Sequence, residues 1–155
     1  MTVEYKKQIL RITNDWIVHR NEFYDIDPLD DIPEDDKFFN IYCQEDLLWI
    51  QKGQFYIDLG WYGHNDPDDL KNQTTGFMLV LYKGQDWNNC ELLELIRTKS
   101  KSEIASSINQ IVELVNVDFY NGKSGYIIDE NDTEYRHIGQ HYQYSVSKNL
   151  NELME

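Results

Sequence analysis

The chain has 155 residues, 41% of them apolar and 14% aromatic, with 14 Lys and Arg against 28 Asp and Glu. The length fits one domain, and the aromatic content sets the chain apart from disordered acidic sequences, which are poor in such residues. A formal charge of −14 argues against nucleic acid as a partner, because phosphate contacts need a basic footprint, and anionic membrane surfaces repel the chain for the same reason.

Residues 1–9 contain no apolar h-region and no small-residue cleavage site, so no signal peptide is expected. No stretch approaches the ~18 consecutive apolar residues of a membrane span. The expected location is the cytoplasm. Cys43 and Cys90 then read as reduced, small buried hydrophobes. The glycosylation sequons at Asn72 and Asn131 carry no meaning without secretion.

In chain order, Val3, Ile9, Leu10 and Ile12 among charges suggest a short N-terminal helix, and Trp16, Ile17 and Val18 suggest a strand. Residues 22–36 hold eight acids and no base, and Pro28 and Pro33 break any regular element there. This is an acidic surface loop. The strongest β signal follows, with residues 47–50 and 55–61 flanking a turn at Gly53. In the second of these strands Phe55, Ile57, Leu59 and Trp61 share one face, while Tyr56, Asp58, Gly60 and Tyr62 share the other. The alternation predicts a sheet with one face buried and one partly wet.

Residues 63–75 form a second polar loop, containing Asp66, Asp68 and Asp69. The nearly continuous apolar run 76–82 predicts a central strand, and residues 91–98 predict another. Ser100 stands three residues before Glu103, the capping-box spacing, in which each side chain satisfies a free backbone N–H of the first turn. Behind it Ile104, Ile108, Ile111, Val112 and Val115 make one apolar stripe, so the reading is an amphipathic helix over 102–117 that covers the sheet. From Asp118 a Tyr-rich extension begins, in which residues 126–128 and 142–146 could add edge strands. The predicted fold is a single α+β domain over 1–155, with its core at about 13–117 and an extension at 118–155. Its sheet is mostly antiparallel, with about five strands, covered on one face by the helix.

Catalytic signatures are lacking: the sequence contains no Gly-rich phosphate loop, no Gly-x-Ser-x-Gly elbow and no His-Glu-x-x-His. His137 and His141 flank Gly139 in a strand-like context, where a spacing of four places them roughly 13 Å apart, too far to share an ion. Residues 129–134 resemble half a calcium loop, but Glu134 stands where Gly is needed and Gln140 where the bidentate Glu is needed. No metal or cofactor is expected. His19 and His64 read as isolated surface residues. Asp25 and Asp27 could be imagined as an acid–base pair, but solvation among six other acids is the simpler outcome.

The acidic loops have a second property. Phe23 and Tyr24 lie among Glu22, Asp25 and Asp27, with Asp30 and Asp31 close behind, and Trp61 and Tyr62 precede Asp66, Asp68 and Asp69. Aromatic anchors with charges nearby are the composition of interface hot spots, and a concentrated negative field steers a basic partner. These acids are therefore the candidate partner-binding residues, with Tyr24, Trp61 and Tyr62 supplying apolar contact area.

Three blocks carry a family resemblance. The first runs from Trp16 through residues 21–25 to 45–48, the second is 57–62, and the third is Asp86-Trp87 followed by the capped helix. Over residues 13–117 this order resembles the small acidic immunity proteins of bacterial polymorphic-toxin systems, including contact-dependent growth inhibition. The resemblance implies a cytoplasmic, non-enzymatic antidote that binds a cognate toxin domain, often a basic nuclease, and occludes its active site or substrate groove. The alternatives are a small-ligand-binding protein or enzyme with a Tyr/Trp-lined pocket, and an adaptor subunit of a larger complex. The charge suits a monomer or a weak dimer through a sheet edge.

Overall fold

The structure, a computed structural model, describes residues 5–26, 46–62, 76–84, 90–123, 126–127 and 147–149. Cys43, both sequons, His64, His137, His141 and the 129–134 segment lie outside the described residues, as do 27–45, 63–75 and 142–146.

Five strands follow one another as an antiparallel meander: β1 (Ile17–Asn21), β2 (Leu48–Lys52), β3 (Phe55–Tyr62), β4 (Gly76–Lys83) and β5 (Glu91–Thr98). The helix α1 (Lys101–Asn116) comes next, and the short strands β6 (Tyr126–Ile127) and β7 (Ser147–Asn149) both pair with the outer edge of β5. The fold is α+β, with one helix packed on one antiparallel sheet.

The β2–β3 hairpin closes in two residues, since Lys52 pairs directly with Phe55. Gly53 takes φ 60 there. A positive φ at the first turn position suits the right-handed twist of the strands and favours glycine. β4 and β5 are buried on both faces, which is why their sequences read as apolar runs rather than alternations. Toward α1, the row Ile57, Leu59 and Trp61 of β3 meets Leu79 and Leu81 of β4 and the Ile104, Ile108 and Val112 stripe of the helix. On the opposite face Met78, Val80, Tyr82, Leu92 and Leu95 form a second, smaller buried cluster, against which Tyr56 packs. The face expected to be partly wet is therefore apolar toward β5 and polar toward β1.

Ser100 caps α1, its hydroxyl accepting from the Glu103 N–H at 3.2 Å. The reciprocal arm of the capping box runs through a third residue. The Ser100 N–H donates to Thr98 Oγ1 at 3.1 Å, and the Thr98 hydroxyl donates to Glu103 Oε2 at 2.9 Å. Replacing Ser100 by Ala is expected to cost about 1 kcal/mol in urea unfolding, the usual value of such a cap. The helix ends in a Schellman motif, with Asp118 at φ 60, its N–H bonded to the Val115 carbonyl, and the Phe119 N–H reaching back to Leu114 at 2.9 Å.

The N-terminal helix does not form. Residues 5–12 run extended beside residues 23–25: Lys7 bridges Tyr24, the Gln8 N–H donates to the Phe23 carbonyl at 2.8 Å, and the Asp25 N–H donates to the Lys6 carbonyl at 2.7 Å. Leu10 and Ile12 pack on the core while Ile9 is 84% exposed, a period of two rather than 3.6. The backbone here is satisfied by a distant segment, so it has no need to bond to itself. The same N-terminal stretch is tied to the helix end by polar contacts. Trp16 Nε1 and Lys52 Nζ both donate to Asn116 Oδ1, and Lys52 pairs with Asp15 at 2.6 Å.

Candidate functional site

The face of the sheet opposite α1 carries the chemistry. It begins with a bulge in β1. The β1–β2 register shifts between Val18 and Arg20, so that Val18 opposes Ile50 and Arg20 opposes Trp49, with His19 as the extra residue. A bulge re-aims side chains, and here it brings His19 as well as Arg20 to Trp49. The His19 and Trp49 rings lie 4.4 Å apart, and His19 Nε2 shares a 2.8 Å hydrogen bond with Gln51 Oε1. Arg20 Nε donates to the Asp46 carbonyl at 2.7 Å, which fixes the guanidinium at the β1 end.

An aromatic row continues across the sheet. Trp49 stacks on Tyr56 at 6.1 Å, and Tyr56 stacks on Tyr82 at 4.9 Å with the planes 5° apart. The Trp49 indole N–H donates to the Tyr82 hydroxyl at 3.0 Å. Burial raises the Tyr82 pKa far above the ordinary phenol range, with the Trp49 hydrogen bond pulling the other way. The phenol is neutral at any physiological pH.

Asp58 sits in the middle of this row, opposite Trp49 on β2 and Val80 on β4. His19, Arg20, Asp46, Leu48, Trp49, Asp58 and Tyr82 line a cleft of about 520 Å³. Burial, with the Asp46 carboxylate adding to it, pushes the Asp58 carboxyl from 3.8 up to about 7. Neither the Lys52–Asp15 nor the Lys101–Asp25 ion pair involves Asp58, and no described cation is found on its carboxyl. A desolvated carboxyl beside a second carboxylate and an aromatic wall favours a cation or a proton. Carboxyls with such perturbed pKa values in clefts are functional-site candidates on physical grounds.

The residues expected from sequence fall differently. The Glu22 N–H donates to the Leu47 carbonyl at 2.6 Å, and the Tyr24 hydroxyl donates to Glu22 Oε2 at 2.6 Å. That hydrogen bond raises the Tyr24 pKa, so the two side chains engage each other. Asp25 pairs with Lys101 at the start of α1. Trp61 is corrected outright. It is 1% exposed and packs edge-to-face on Phe77 at 5.0 Å, so it belongs to the core and offers no contact surface. Its position in the Phe55, Ile57, Leu59 row already placed it on the helix side. Tyr62 ends β3 opposite Gly76, and its side chain lies outside the described residues. Asp27, Asp30, Asp31, Asp66, Asp68 and Asp69 also lie outside them.

Sequence reasoning missed Asp46, Trp49, Asp58 and Tyr82 as site residues, and it read His19 as isolated. One signal was available: Asp58 is a lone acid between Ile57 and Leu59, inside a strand otherwise built of apolar and aromatic residues plus Gly60.

Fold and cleft together define an α+β chain whose sheet presents an aromatic, acidic cleft on the face away from its helix. Comparison with protein-family models, curated proteins and solved structures finds no match to the chain. Among the described residues no helix is long and apolar enough to cross a membrane.

Proposed function

We propose that this protein is a non-enzymatic immunity protein of the bacterial cytoplasm, which neutralises a basic toxin domain by stoichiometric binding. The observation that carries the reading is the Asp58 carboxyl, unpaired by any described cation in an aromatic cleft, on a chain of formal charge −14. A nuclease domain must be basic to hold its substrate, and an acidic protein seated on that surface competes with the phosphates. The resemblance to acidic immunity proteins points to the same role. Aromatic contact area gives affinity and the charge gives encounter rate, the usual division between hot spots and steering.

The test is co-expression with a basic toxin domain encoded directly upstream of the gene, followed by pull-down and survival. The expected results are an equimolar complex and protection. Charge reversal at Asp25, Asp27 and Asp30 together is expected to weaken the complex most at low salt. Binding unchanged by that reversal and at roughly 1 M NaCl, where the screening length is ~3 Å, would rule out electrostatic occlusion while leaving the role intact. An upstream toxin that is neither bound nor neutralised removes the role itself.

A second reading, a small-ligand binder or enzyme, is favoured by one observation. A carboxyl near pKa 7 in a cleft of about 520 Å³ is poised for proton transfer at neutral pH. An operon of metabolic enzymes around the gene, with no toxin, supports that reading over the first.

A further inference from the structure

We propose that the β1–β4 cleft is the seat of a single arginine side chain of the basic partner, its guanidinium lying against the part of the Trp49 ring that His19 and Tyr56 leave exposed and donating to the Asp58 carboxylate. The identity of the partner as a protein rests on the immunity reading. The chemistry of the seat rests on the cleft alone.

Three observations select a guanidinium. First, the cleft contains a desolvated carboxyl with no described cation on it, although Arg20 lines the same cleft. Arg20 is held through Nε by the Asp46 carbonyl at 2.7 Å, and Trp49 separates it in the register from Asp58. Among the described residues no other side chain brings a cation to Asp58, and the carboxyl suits one from outside. Second, Trp49 is 40% exposed and stacks at 21° on Tyr56, which lies parallel to Tyr82. A flat, weakly hydrated guanidinium matches such a wall, whereas an ammonium keeps its water more tightly. Third, the Trp49 N–H is already committed to the Tyr82 hydroxyl at 3.0 Å, so the part of the indole left exposed beside His19 and Tyr56 offers ring surface rather than a donor.

Affinity then depends on pH. The charged or titratable groups around Asp58 are Asp46, ahead of β2, His19 and Arg20 of β1, Tyr56 of β3 and Tyr82 of β4. With the Asp58 carboxyl near 7 in the free protein, roughly a tenth is ionised at pH 6 and nine tenths at pH 8. Binding a cation to the ionised form is roughly tenfold tighter at the higher pH.

The experiment uses the full chain and N-acetyl-arginine amide as the probe. Binding is followed by two-dimensional NMR of the indole N–H signals, with the neutral citrulline analogue and the lysine analogue in parallel. The expected result is saturable binding of the arginine probe at pH 8 that moves the Trp49 indole signal. Lysine is expected to bind more weakly and citrulline not at all. Asp58→Asn is expected to weaken binding about tenfold and to abolish its pH dependence, which separates Asp58 from His19. Glu113→Gln, exposed on α1 on the far side of the sheet, is expected to bind as the parent does. Equal binding of citrulline and arginine, or an Asp58→Asn variant with a native spectrum that binds arginine as the parent does, overturns the proposal. Toxin neutralisation that survives Asp58→Asn unchanged overturns the cleft and spares the immunity role. Arginine binding without any toxin protection does the reverse.

Discussion

Trp61→Ala is expected to destabilise the protein by about 3–5 kcal/mol, the range for removing a large buried aromatic side chain. Trp61 is 1% exposed, stacks edge-to-face on Phe77, and lies in the row that meets the helix stripe. Its removal leaves a cavity that Ile57, Leu59 and Phe77 cannot collapse to fill, because their backbones are held in the β3–β4 ladder. Trp61→Phe is expected to recover most of the loss. Urea unfolding of the two variants measures both. A Trp61→Ala protein as stable as the parent would return Trp61 to the surface, where its aromatic–acidic surroundings in sequence first suggested a binding role.

The second large effect has the opposite sign. Asp58→Asn is expected to stabilise the protein at pH 8 by up to about 4 kcal/mol, and to change stability little at pH 4. The folded carboxyl has a pKa near 7 against 3.8 for the free group, with burial as the main cause. Between those two values the folded chain binds more protons than the unfolded one. Stability therefore falls as pH rises through this window, and above pH 7 the full penalty of a buried charge remains. Asparagine is neutral throughout and removes the slope. Denaturant midpoints for the parent and the variant across pH 4–8 should diverge steadily toward high pH. Parallel curves would mean that Asp58 is solvated. Such a cost at neutral pH is what the proposed binding role would ask of Asp58, since proteins commonly give up stability where function needs a strained or desolvated group.

Much of the fold was legible because its signals are local. Alternation in residues 55–61, a glycine at the hairpin turn, and Ser100 three residues ahead of Glu103 each act within one element. The structure places β3, the turn and α1 accordingly. What escaped reading was non-local. Residues 5–12 look helical by composition, yet their backbone bonds to residues 23–25. The β1 bulge has no glycine to mark it, and without it the Val18–Ile50 register would carry Arg20 away from Trp49 to oppose Leu48. The end of α1 falls within one residue of the expected position, although the left-handed residue that stops it is Asp118 and not a glycine.

The candidate site was legible only in its chemistry. Charge density drew attention to residues 22–36 and 66–69, because a run of acids is conspicuous. The cleft depends instead on Asp58, a single acid made significant by what surrounds it, and on Asp46, Trp49 and Tyr82 from separate strands or strand ends. Three-dimensional register brings these together, and no spacing along the chain encodes it. Carboxylate and aromatic groups do come together on the sheet face, at Asp58, Trp49 and Tyr82, whereas Trp61 lies in the core and most of the acidic loops lie outside the described residues.

Inhibition titration of the basic toxin domain encoded beside the gene tests the central claim most directly. The expected result is loss of toxin activity that is complete at one equivalent of this protein at pH 8, with weaker inhibition at pH 6 as Asp58 takes up its proton. Toxin activity that persists under a large molar excess at pH 8 would contradict the account.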